Sequence, residues 1–179
     1  MKVLGFAASS SRKSINKELV KYALGLLDQV ETEVIDLNDY ELPLFSEDKE
    51  KEIGQAQLAK DFLEKISESD ALVVSFAEHN GSYTAAYKNL FDWCSRINRE
   101  VFQNKPLVFL ASSPGKGGAK NVLELASNSA KYFAGDLKSS LSIPNFYDNF
   151  DLETGMLTNE TMKAELMSTL KSLELMQTT

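Results

Sequence analysis

Five short apolar runs, each followed by a stretch with helical periodicity, constrain this chain more than any other feature of its sequence. The runs are Lys2–Ala8, 33–37, Ala71–Phe76, 107–111 and, less clearly apolar, Asp136–Ile143. Each has the length of a strand. The first four lack the alternation of a strand with one wet face, so they are expected to be covered on both sides.

Between the runs lie apolar stripes at helical spacing. Ile15, Leu19, Ala23, Leu26, Leu27 and Val30 form one, and Leu58, Phe62 and Ile66 another. Tyr87, Leu90, Cys94 and Ile97 follow, then Val122, Ala126, Ala130 and Phe133, and finally Met162, Leu166 and Leu170 in a helix expected over 158–176. Strands that alternate with helices pair in parallel, because each connection must cross over the sheet, almost always right-handedly. At this length the economical solution is a three-layer α/β sandwich. Its five-stranded parallel sheet takes the flavodoxin-like order 2-1-3-4-5, with helices on both faces. No repeat or linker divides the chain, so one domain over 1–179 is expected. Two irregular segments remain, 38–52 and 144–155, and the charge run at 47–52 reads as the solvated start of a helix.

Composition removes several functions. With 26 acidic against 19 basic residues and a net charge of −7, the chain lacks the basic stripe of a nucleic-acid binder. One cysteine, Cys94, permits no internal disulfide and points to a reducing compartment. One histidine, and no HExxH or CxxC spacing, argue against a metal site. The apolar run at 3–8 is too short for a secretory signal, and nothing approaches the ~18 apolar residues of a membrane span. A cytoplasmic protein is expected.

In an open parallel sheet, ligands bind beyond the carboxyl ends of the strands, where the strand order reverses. Three loops there have unusual sequences. The first, Ser9-Ser10-Ser11-Arg12-Lys13-Ser14-Ile15-Asn16, runs directly into a helix. A helix N-terminus offers unpaired N–H groups and partial positive charge, hydroxyls add donors, and Arg12 or Lys13 can offset a dianion. Lacking glycine, this loop is neither GxGxxG nor a Walker loop. The plainer alternative makes Ser14 an N-cap and the other serines turn residues.

The loop after the third strand reads Ala77-Glu78-His79-Asn80-Gly81-Ser82-Tyr83, with Asn80-Gly81 as a tight turn that exposes backbone amides to the edge of a planar heterocycle. For His79 a hydrogen-bonded structural role or a ring contact is the plainer reading than a general acid. The loop after the fourth strand, Ser112-Ser113-Pro114-Gly115-Lys116-Gly117-Gly118, has little side-chain bulk and suits a ligand lying against backbone. Cys94 falls on its helix's apolar stripe and reads as a buried structural thiol. Phe146, Tyr147 and Phe150 stand as a cover for a site or as a subunit contact.

Together the three loops resemble the NADPH-dependent FMN reductase family, flavodoxin-like proteins that include quinone, azo-dye and chromate reductases. Residues 9–16 are similar to its G-S-x-R-x-x-S-x-N phosphate loop. Glu78-His79-Asn80-Gly81-Ser82, then Lys88-Asn89 and Asp92-Trp93, resemble its P-E-Y-N-x-S...K-N-x-x-D-W signature, and residues 112–118 its glycine-rich flavin loop. Asp36-Leu37 and Leu42-Pro43-Leu44-Phe45 are similar to its segment after the second strand. Ala8 stands where the family has glycine, Ala77 where it has proline and His79 where it has tyrosine, and the Arg12–Ser14 spacing is one residue shorter.

The resemblance implies FMN with NADPH or NADH as cosubstrate and a small-molecule acceptor of the quinone, azo, nitro, flavin or metal-ion class. It implies a homodimer or homotetramer, with the contact expected at the Tyr87–Ile97 helix and at Pro43, Leu44 and Phe45. The cofactor residues it implies are Ser9, Ser11, Arg12, Ser14, Ile15 and Asn16 for the phosphate. Glu78, His79, Asn80, Gly81 and Ser82, with Ser113, Pro114, Gly115 and Gly118, would hold the ring. No catalytic side chain is nominated, because orientation of donor and acceptor supplies much of the rate. A flavodoxin-like electron carrier and a phosphate-ligand module without flavin are the competing readings.

Overall fold

Alternate residues of a strand point to opposite faces of its sheet, and in this chain both sets are apolar. On β1 (Lys2–Ala8), Leu4, Phe6 and Ala8 point one way and Val3 and Gly5 the other. A computed structural model describes residues 1–174. After β1 come α1 (Ile15–Gly25), β2 (Glu31–Ile35), α2 (Glu47–Ile53), α3 (Gln57–Ser67), β3 (Ala71–Phe76), α4 (Ala85–Ile97), β4 (Pro106–Ser112), α5 (Lys120–Ser129) and β5 (Asp136–Ile143). A short α6 (Phe146–Asn149), the strands β6 (Phe150–Asp151) and β7 (Met156–Leu157), and α7 (Glu160–Glu174) complete the order.

The five long strands form one parallel sheet in the order β2-β1-β3-β4-β5, with β1 and β3 at its centre. On one face Phe6, Val74, Phe76 and Phe109 meet Phe62 and Ile66 of α3, Leu90 and Trp93 of α4 and Val122 of α5. On the other, Val3, Val73, Val108 and Leu110 meet Leu19, Val20 and Leu24 of α1 and Leu166, Leu170 and Leu173 of α7. This is the expected sandwich.

The boundaries shift where the apolar signal is weak. β2 runs over Glu31–Ile35, two residues earlier than expected, pairing Lys2 with Glu31 and Phe6 with Ile35. As an edge strand it keeps polar Glu31 and Thr32 in water. The apolar Leu37 beyond it belongs to a tight 3-10 turn (Leu37–Tyr40), whose start is capped by the Asp36 side chain on the Asn38 N–H. α1 stops at Gly25, short of Val30. The charge run becomes α2, which buries no residue and starts from a Ser46 cap. The segment 144–155 folds into α6, β6 and the turn that leads to β7. The expected extension of the last helix to Met176 lies outside the described residues.

α4 is anchored by polar contacts as well as by its core stripe. The Asn89 side chain donates to the carbonyls of Leu42 and Pro43 and accepts from the Phe45 N–H. Trp93 Nε1 donates to the Pro43 carbonyl at 2.8 Å. The Asn and Trp of the motif therefore hold the 42–45 segment against the helix, and Lys88 and Asp92 form an exposed pair one turn apart.

Two measurable consequences follow from the packing. A Cβ on Gly5 would lie 2.6 Å from Leu24 Cδ1 and 2.7 Å from Val20 Cγ1, so α1 sits as close to β1 as it does only because that side chain is missing. Gly5→Val is expected to lower the unfolding free energy by about 2 kcal/mol, the usual scale of overpacking, and chemical denaturation should show a matching fall in midpoint. Burial pushes the Cys94 thiol up to about 12. Since the thiolate is the reactive form, native protein at pH 8 should leave a disulfide reagent almost unconsumed, and unfolding should release one reactive thiol.

Candidate functional site

Beyond the carboxyl ends of β1, β3 and β4, a cleft of about 280 Å³ opens between the three loops. Its first wall is the β1–α1 loop. Ser14 caps α1 by accepting from the Lys17 N–H, the third amide of the helix. The first two amides, on Ile15 and Asn16, have no preceding carbonyl within the helix to bond, and they point out of its end. Ser9, Ser11, Lys13, Ser14, Ile15 and Asn16 all line the cleft. Arg12 does not, although the sequence placed it there. The shortened Arg12–Ser14 spacing leaves Lys13 as the cation on the cleft wall, and Lys13 makes no ion pair among the described residues.

Asn16 has a second role. Its Nδ2 donates to the Ser112 carbonyl at 3.1 Å, and its Oδ1 accepts from the Ser75 hydroxyl at 2.7 Å and the Ser112 N–H at 2.9 Å. The side chain is thereby consumed in joining α1 to the ends of β3 and β4, which leaves its backbone amide for the cleft. Thr84, the cap of α4, makes a parallel connection by donating to the Ala8 carbonyl at the end of β1.

The second wall is the loop after β3. His79 and Ser82 exchange backbone hydrogen bonds, and Asn80 and Gly81 between them both have positive φ, 53° and 77°. Such a turn needs left-handed backbone at both central positions, which Asn-Gly supplies at little cost. Ala77, Glu78 and His79 line the cleft, while Asn80, Gly81 and Ser82 form the exposed tip beyond it. Glu78 faces both ways. Its backbone borders the cleft, but its carboxylate accepts from the Val122 N–H at 3.0 Å and from Asn121 at 3.3 Å. It caps α5, whose own cap position, Ala119, has left-handed backbone and no side chain able to accept.

The third wall follows β4. Ser112, Ser113 and Pro114 line the cleft. Gly115 and Gly118 do not. The Gly115 carbonyl accepts from Gly118, from Asn145 and from the Ser113 hydroxyl, which ties the loop to the chain after β5. Gly118 adopts φ 61°, and a Cβ there would lie 2.2 Å from Ser142 Oγ, so only glycine lets the loop close onto β5. These two glycines shape the wall from behind.

Four lining residues were not selected from sequence. Lys13 was the alternative to Arg12 as the cation of its loop, and Ser112 adjoins the expected Ser113 and carries no separate signal. Ala77 offers only its backbone position at the end of a strand. Tyr147, exposed by 59%, joins the lining from α6. Among the described residues no group of three or more His, Cys, Asp or Glu is placed to hold a metal ion, and no helix is long and apolar enough to cross a membrane.

Comparison with known proteins agrees with this architecture. The sequence profile described as NADPH-dependent FMN reductase matches residues 1–148. An NAD(P)H-dependent FMN reductase of Pseudomonas aeruginosa is 33% identical over 119 residues, covering 66% of this chain and 63% of that protein. An NADPH:quinone oxidoreductase of Arabidopsis thaliana is 27% identical over 181 residues, covering 97% and 90%. Among solved structures, the NAD(P)H:(acceptor) oxidoreductase from Paracoccus denitrificans shares the fold with a TM-score of 0.75 at 22% identity, over 96% of this chain and 94% of that one. The profile takes in all three walls of the cleft and every strand of the main sheet, and on that ground the chain belongs to the NADPH-dependent FMN reductase family.

Proposed function

We propose that this protein is an FMN-dependent oxidoreductase, one flavodoxin-like domain over 1–179, that oxidises NADPH or NADH and reduces a small-molecule acceptor of the quinone, azo, nitro, flavin or metal-ion class. FMN, when bound, supplies a centre that accepts a hydride and gives it up again, which no side chain of this chain can do.

The observation that carries this reading is the donor set of the cleft. Two unbonded amides of α1, the hydroxyls of Ser9, Ser11 and Ser14, and the Lys13 ammonium line one wall. The only carboxylate in the lining, Glu78, is turned to the α5 N-terminus, where it accepts from Val122 and Asn121. Such a set suits a phosphate monoester dianion and suits no cation. In this reading residues 9–16 hold the phosphate. The 78–82 turn and the Ser113–Pro114 edge, backed by Gly115 and Gly118, hold the ring of the cofactor. The protein's own work is orientation: a rigid cradle lets the nicotinamide and then the acceptor meet the same face in turn.

The assembly proposed is a homodimer or homotetramer. Leu44 supports this, being 82% exposed on a segment that Asn89 and Trp93 fix in place.

Purified protein mixed with FMN should retain yellow colour through gel filtration and should oxidise NADPH or NADH faster when a quinone is present. Colour without nicotinamide oxidation would identify an electron carrier, and failure to retain FMN would leave a phosphate-binding module. A second experiment isolates the phosphate wall. Aspartate is as good an N-cap as serine, so Ser14→Asp should keep α1 intact while placing a negative charge beside the dianion. It is expected to raise the FMN dissociation constant at least about tenfold, equivalent to ~1.4 kcal/mol, and to alter riboflavin binding much less.

A further inference from the structure

Around the cleft, one side chain of the type that exchanges protons near neutral pH has no partner among the described residues. The imidazole of His79, the chain's only histidine, makes no hydrogen bond or ion pair among the described residues. The backbone of the same residue is fixed, with its N–H and carbonyl both bonded to Ser82 at 3.0 and 3.2 Å. The ring lines the cleft and is exposed to water. It is therefore anchored at its base and free at its tip.

The titratable groups sharing that lining are Lys13 from the β1–α1 loop, Glu78 from the same loop as His79, and Tyr147 from α6. Glu78 does not engage the ring: its carboxylate is turned to Asn121 and Val122 of α5. No carboxylate in the cleft holds the imidazole as a fixed cation, and no acceptor fixes one tautomer. The remaining polar lining consists of hydroxyls and backbone amides, which are very weak acids. Histidine is the side chain suited to pass protons near neutral pH.

Reduction of a quinone by a nicotinamide needs such a group. The balance is NAD(P)H + quinone + H⁺ → NAD(P)⁺ + hydroquinone. The hydride provides both electrons and one proton, and a second proton must come from elsewhere. We propose that His79 is the general acid that supplies it. The imidazolium N–H bond breaks, an O–H bond forms on the acceptor oxygen, and the neutral ring takes its next proton from bulk water. The proposal rests on the oxidoreductase reading above and adds an acid that orientation alone does not provide.

Because the chain has a single histidine, untagged protein gives one imidazole C2–H resonance, which NMR can follow without assignment. In oxidised, FMN-loaded protein without nicotinamide, addition of tetramethyl-1,4-benzoquinone should shift that resonance and change its titration midpoint. In steady-state assays His79→Gln should lower the ratio of quinone to ferricyanide turnover about tenfold, since ferricyanide takes electrons and no proton. The pH dependence of quinone turnover that titrates with the imidazole in the parent should vanish in the variant. A resonance indifferent to the quinone, or a turnover ratio and pH profile matching the parent's, would overturn the role of His79 while leaving FMN binding intact. Failure to bind FMN at all would overturn the flavin reading, and the proposal with it.

Discussion

The Asn16 side chain lies buried where the ends of β3 and β4 meet the start of α1, and it bonds to Ser75 and to both backbone groups of Ser112. Everything at the carboxyl edge of the sheet depends on this joint. The strands hold the loops only at their roots, and loops of this length are otherwise free to diverge. A single amide with a donor and an acceptor can clasp a carbonyl, an N–H and a hydroxyl at once, which no apolar residue of the same volume can do. Losing it would leave the Ser112 N–H and the Ser75 hydroxyl unsatisfied in the interior, at about 1–3 kcal/mol per group. The joint thus fixes the position of the first helical amides relative to the Ser113–Pro114 edge.

The fold was legible because the central strands are apolar on both faces and the helices carry regular stripes, so burial and sequence pattern report the same thing. The edge strand β2 was less so. Glu31 and Thr32 are exposed and look like loop, whereas Leu37 looks like strand and is held in a turn by Asp36. The β1–α1 wall of the cleft was legible through its serines and the helix that follows. Which of the adjacent cations Arg12 and Lys13 lines the cleft was not, since that depends on which way the backbone turns. Gly115 and Gly118 illustrate a further limit. Glycine signals that backbone approaches something closely, and here the something is β5 and the chain after it. Glu78 and Asn16 both line the cleft, but their side chains serve its construction, a distinction visible only once the partners are known.

The charge of the protein is arranged in keeping with this division. Several cations form pairs, Lys2 and Lys65 with Glu33, Lys17 with Asp36 and Arg96 with Glu50, that link neighbouring elements. Lys13, which makes no ion pair among the described residues, lines the cleft between the three loops. An acidic chain with a net charge of −7 can therefore still attract a phosphate, because the field within a Debye length of the cleft is set by the groups lining it.

The carboxylate of Glu78 links two distant stretches of the chain. It stands on the loop after β3, yet it terminates a helix that begins past residue 118, where two successive residues, Gly118 and Ala119, are turned left-handed. Replacing Glu78 would uncap α5 and release that bend together with the loop, so an alteration at either end is felt at the other.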